Sequence, residues 1–290
     1  MGAPSKNEGR PRFPRKDKNP AVSGNLMKNT RLRLGVCLLA AACSAPLAPA
    51  AGAADWKFST SFNYDTGDYG TNNLTESVYI PFTLKRYYRE GDLSVTVPWL
   101  RQSSTGQVTR VGGRPVRATG GSGGAAAQSE SGLGDIMVRG SYILKVDGPK
   151  SFDLAAAGRL KLPTADETRG LGTGELDEGA GFEFAKKLNP NLTLLADGYY
   201  TIIGDPEGID FNNQLAFDIG FYRPLNGKTG LTVLYETRSA MLDGNSDPRE
   251  ISGTLDYKPD GGNQYSGGLL LGLSDGSPDV GLSFGLSRKF

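Results

Sequence analysis

Ten charged side chains fall on the polar side of segments that alternate polar and apolar residues: Arg139, Arg159, Lys161 and Arg238, with Asp177, Glu183, Asp197, Asp218, Glu236 and Asp256. Glu250 has the same placement. Carboxylates beside bases can move protons. Opposite charges across a narrow, low-dielectric space can instead orient a dipolar solute. Composition restricts the first option, because the 290 residues include no histidine. A Ser–His lipase centre or a His–Asp protease centre therefore has no general base. Zinc held by His or Cys is excluded as well, since the two cysteines, Cys37 and Cys43, lie in an N-terminal segment read below as a leader. A carboxylate-only site, for example Asp197 with Asp218, is left, and adjacent inward acids are also what a wet lumen displays. Asp243-Gly244-Asn245-Ser246-Asp247 lacks the full ligand spacing of a calcium loop. No catalytic residue, cofactor or metal ligand is assigned.

The segments that carry these charges have period two. Trp56, Phe58, Thr60, Phe62 and Tyr64 alternate with Lys57, Ser59, Ser61 and Asn63. Val280, Leu282, Phe284, Leu286 and Phe290 alternate with Gly281, Ser283, Gly285, Ser287 and Lys289. Ten further segments alternate over 78–85, 93–99, 136–145, 152–162, 177–184, 192–202, 214–222, 231–238, 250–257 and 265–274. A membrane β-strand needs about 9–11 residues with alternate side chains in lipid and lumen. Beyond the N-terminus no run is apolar enough for a membrane helix. The pattern predicts an all-β fold: a transmembrane, antiparallel, up-and-down β-barrel of about 12 strands. Ten or fourteen strands follow if the weak segment at 177–184 or the long connection at 102–134 is misread.

Short turns are expected at Asp147-Gly148-Pro149, Asn189-Pro190-Asn191, Asn226-Gly227-Lys228 and Pro259-Asp260-Gly261-Gly262, with longer connections between them. Short periplasmic turns and long external loops are the barrel rule. Tyr, Phe and Trp near many strand ends match interfacial girdles. The connection 102–134 is long and Gly-rich, with Arg110, Arg114 and Arg117. It reads either as a loop folded into the pore mouth or as a solvated external loop, and such composition resists a fixed fold.

Three regions are expected: 1–26, an over-extended start or a long n-region; 27–53, a secretory signal peptide; and 54–290, the barrel. Lys28, Arg31 and Arg33 precede an apolar run from Leu34 to Ala42, followed by small-x-small cleavage sites. Met27 is a candidate start, and Cys43 lies in a weak lipoprotein-like box. About nine of the basic residues fall in this leader, so the remainder is net acidic by about 6 charges despite an overall +1. That leaves no basic footprint for nucleic acid. The expected setting is the outer membrane of a Gram-negative bacterium, against lipid and lipopolysaccharide. Phe290 would serve as the signal to the barrel assembly machinery.

A twelve-stranded barrel lies between filled eight-stranded barrels and wide sixteen-stranded porins. The lumen charges permit two readings: a narrow passive channel for a small-molecule substrate, or a plugged structural or adhesive barrel that binds partners through its loops. The acid excess predicts weak cation preference.

Gly132-Leu133-Gly134-Asp135-Ile136, Lys161-Leu162-Pro163-Thr164, Leu171-Gly172-Thr173-Gly174 and Ser277-Pro278-Asp279-Val280-Gly281-Leu282-Ser283, in that order, resemble motifs of one family. It is the outer-membrane transporter family of the MetA pathway of phenol degradation. The resemblance covers most of 56–290. It implies an outer-membrane barrel for uptake of small aromatic or other hydrophobic compounds, and it carries over no individual functional residue.

Overall fold

The computed structural model describes residues 55–71, 73–104, 108–111, 114–117, 128–145 and 152–290. The expected leader, with Cys37, Cys43, Met1 and the candidate start Met27, lies outside the described residues, as does the predicted turn at 147–149.

Twelve strands close on themselves: β1 (Trp56–Gly67), β2 (Thr75–Tyr88), β3 (Gly91–Ser104), β7 (Ile136–Lys145), β8 (Phe152–Leu162), β9 (Asp177–Asn189), β10 (Leu192–Ile202), β11 (Gln214–Pro224), β12 (Thr229–Arg238), β13 (Arg249–Tyr257), β14 (Asn263–Gly272) and β15 (Val280–Lys289). Each pairs antiparallel with its predecessor, and β1 pairs with β15 to seal the ring. Closure leaves no unpaired barrel edge, which hydrocarbon would not tolerate. The chain ends meet at the seam, where the backbone N–H of Trp56 donates to Phe290 and that of Phe290 to Trp56, at 3.1 and 3.0 Å.

The alternation resolves into two faces. Phe58, Phe62, Phe82, Phe182, Phe221, Leu255, Leu282 and Phe284 are exposed on the outside. Trp56, Tyr88, Tyr142, Tyr257 and Tyr265 lie exposed near the chain-terminus end of the wall, and Tyr200 and Tyr235 near the opposite end. An apolar band between two aromatic girdles is the surface of an outer-membrane barrel. Inside, Ser61, Asn63, Asp197, Thr201, Glu236 and Ser252 are buried.

The long connection corrects one expectation. Its beginning continues β3 to Ser104, and its end forms β6 (Gln128–Leu133) on the upper half of β3. Between them, β4 (Val108–Val111) and β5 (Arg114–Arg117) form a separate hairpin. The Gln102 side chain donates to the Val108 carbonyl at 2.7 Å. Backbone pairing fixes this part despite its composition. The Gly-rich stretch 118–127 lies outside the described residues.

Candidate functional site: the barrel lumen

Strand register turns scattered acids into a row. Glu183 on β9 lies opposite Asp197 on β10, Asp197 opposite Asp218 on β11, Asp218 opposite Glu236 on β12, and Glu236 opposite Glu250 on β13. Like charges directly opposite each other destabilise a sheet. Arginines answer most of this row. Arg139 on β7 contacts Glu183 and donates to the Tyr199 hydroxyl at 2.6 Å. Arg238 contacts Glu236 at 3.0 Å and Glu250 at 3.4 Å, and Ser252 donates to Glu236 at 2.7 Å. Asp197 makes no salt bridge among the described residues, and its Oδ2 is buried without a hydrogen bond there.

Tyr199 organises the basic side. The guanidinium groups of Arg139 and Arg159 lie 5.5 and 4.8 Å from its ring centre, and its hydroxyl donates to Glu183 at 3.2 Å. The ring fits because its cross-strand partner is Gly181, where a Cβ would come 2.7 Å from it. Outside, Phe182 covers Gly198 in the same way. Arg159 also donates to Thr201 at 3.0 Å.

Lys161 is a separate post at the external rim. It contacts Asp177 at 2.9 Å and donates to Thr173 at 2.6 Å, with Asp135 at 3.9 Å. Asp135 in turn accepts from the Thr164 and Ala165 backbone. These contacts tie the loop 163–176 to the wall.

A cavity of about 600 Å³ runs along the lumen. Arg139, Arg159, Lys161, Asp177, Asp197, Asp218, Glu236 and Arg238 line it. Glu183 and Asp256 point inward but are buried in the wall, the first behind Tyr199 and Arg139, the second beside Gln264, which donates to it at 2.7 Å. Pro115 of the β4–β5 hairpin also lines the cavity, so the long connection reaches the lumen.

Charge-based reading of the sequence missed two kinds of lumen residue. Leu195, Leu234 and Leu270 are buried on the inner face, Leu195 and Leu234 clustering with Ala185 and Tyr222. Their signal was present: each breaks the alternation inside an apolar run, as in Leu269-Leu270-Leu271. Lys57, Lys85 and Lys289 were visible as polar-side positions, but only register makes them neighbours.

External loops 203–213 and 239–248 fold together around Ile203, Ile209, Phe211, Met241 and Leu242. Asp243 accepts from Asn212, and Asp247 from the Ala240 backbone, both at 2.8 Å.

A closed twelve-stranded wall with an apolar outer band and a charged inner cavity is the architecture of an outer-membrane β-barrel. The chain belongs to the family described as "Putative MetA-pathway of phenol degradation", whose model matches residues 91–290. Its fold is similar to the COG4313 outer membrane channel from Pseudomonas putida F1, at 14% identity over 86% of this chain and 100% of that one, with a TM-score of 0.63. It also resembles the NanC porin, at 10% identity over 80% and 100% of the two chains, with a TM-score of 0.52. No curated protein sequence matches the chain.

Proposed function

We propose that this barrel is a narrow passive channel that admits small molecules, aromatic compounds among them, across the outer membrane. The observation that carries the reading is the lumen cavity. It is bordered by Lys57 and Lys85 near the chain termini and by Met241, Asn245 and Asp275 in the external loops. Its volume of about 600 Å³ exceeds the roughly 150 Å³ that accommodates benzene. Polar groups and inward leucines share its lining, which suits solutes with a polar head and an apolar body. Residues that line this path are the proposed contact set, and none is proposed to be catalytic. The proposed partners are outer-membrane lipid, lipopolysaccharide, and the assembly machinery acting on Phe290.

Arginine pairs with Glu183, Glu236 and Glu250, so the proposed weak cation preference rests on the acid excess that this pairing leaves. Single-channel recording of the purified barrel in a planar bilayer tests the reading. Small discrete conductance steps, together with swelling of barrel-loaded liposomes in phenol-sized neutral solutes, are expected. A folded barrel that neither conducts nor passes solute would refute the channel. It would favour a closed adhesive barrel acting through the packed loops around Phe211 and Leu242.

A further inference from the structure

We propose that the inner end of the lumen holds an anion-binding station, built on Lys57, Lys85 and Lys289, that takes the carboxylate of a small aromatic acid. The proposal rests on the channel reading above and names a substrate class for it.

Lys57 on β1 lies directly opposite Lys289 on β15 and Lys85 on β2. Three ammonium groups thus stand side by side on three adjacent strands, an arrangement that disfavours the sheet by itself. Two have answers in the wall. Lys85 contacts Asp92 at 3.0 Å, and Lys289 lies 4.9 Å from the centre of the Tyr87 ring. Lys57 is only 7% exposed, lines the cavity, and makes no hydrogen bond or ion pair among the described residues. Burying a charge is expensive unless a counter-charge meets it. Asp256 on β13 opposes the charge of Lys57 and takes a hydrogen bond from Gln264 at 2.7 Å, while Lys85 and Lys289 add positive charge on either side. The positive charge left at this corner is met by a solute anion.

The surroundings specify what kind. Ser59 and Ser287, opposite each other one step from Lys57 on the same inner face, line the cavity and offer hydroxyl donors to a carboxylate oxygen. Pro81, on the inner face of β2, lines the same cavity and gives it apolar wall for a ring. Topology adds direction. β10, which carries Asp197, lies six strands from β1 either way round the twelve-membered ring, so lysine wall and acid row face each other. An anion leaving the acid row is drawn toward the lysines.

Calorimetric titration of the detergent-solubilised barrel with sodium benzoate and with benzyl alcohol, at low salt, tests the station. Benzoate is expected to bind at least about ten-fold more tightly than the alcohol, which matches it in ring size but lacks charge. Lys57→Gln should abolish that difference, and Lys289→Gln should reduce it. Equal affinities for the two probes, or a preference untouched by Lys57→Gln, would overturn the proposal. Should Lys57→Gln fail to fold, Lys289→Gln on the half-buried rim carries the same test. Titration needs no conduction. A barrel that conducts but does not prefer benzoate overturns the station alone, whereas one that binds benzoate and stays silent upholds the station and overturns the channel.

Discussion

Replacing Arg238 by Gln isolates what the arginines do for the acid row. Arg238 is 8% exposed and sits between Glu236 and Glu250, themselves 2% and 3% exposed. Its contacts run from 3.0 to 3.4 Å. At an effective dielectric of about 20, one ion pair at that distance has a gross Coulomb energy of about 5 kcal/mol. Desolvation of the three groups opposes most of this, and removing one partner of a buried pair costs about 3–5 kcal/mol in practice. The cluster borders the cavity, where water can solvate the orphaned carboxylates, so the lower end applies: a loss of about 3 kcal/mol. Urea unfolding of the barrel in lipid vesicles, followed by the fluorescence of Trp56 and Trp99, reads it. The double variant Arg238→Gln/Glu250→Gln should recover at least half of the loss, because one of the stranded charges is gone. Conductance gives a second readout, since two uncompensated acids should move selectivity toward cations. A single-variant loss below about 1 kcal/mol, or a double variant no better than the single, would refute the idea that Arg238 neutralises this row.

Three further outcomes follow from the same geometry. Gly181→Val would drive its Cβ into the Gly198 carbonyl oxygen and to 2.7 Å from the Tyr199 ring; shifting both backbone and ring should cost at least about 3 kcal/mol in the same unfolding assay, while Gly253→Val, with open space around it, should be nearly neutral. Lys161→Met strands Asp177 and releases the loop 163–176, so trypsin should cut after Arg169 faster than in the wild type, and unchanged cleavage would count against the anchoring role. Val233→Arg places a charge on the lipid face and should destabilise by about 2–4 kcal/mol. Ser266→Arg, on the cavity side, should leave stability nearly unchanged and lower conductance; equal destabilisation by the two would mean the faces are misassigned.

Period-two alternation was enough to read the barrel and its twelve strands, because a strand with lipid on one side and water on the other has to alternate along its own length. That information is local. What each inward charge meets is not local: Arg139 on β7 reaches Glu183 across two strand boundaries and Tyr199 across three, and no spacing within a strand encodes this. The acids therefore read as a surplus of negative charge, whereas register distributes arginines among them. The same blindness hid the lysines. Lys57, Lys85 and Lys289 each looked like an ordinary polar-side residue, and they become a cluster only when β15, β1 and β2 are laid side by side. Composition misled differently at 102–134. Its closing residues, Gln128–Leu133, carry little apolar area, but β3 supplied an existing edge, and backbone hydrogen bonds to that edge need no particular side chains. Leu195 and Leu234 make the converse point. Treating every inward position as polar assumes an open lumen along its whole length. Inward leucines packed on Ala185 and Tyr222 show that part of the wall is closed by ordinary side-chain packing. Leu195 is packed away from the cavity, whereas Leu234 and Leu270 stay in its lining as apolar wall beside serine, threonine and lysine.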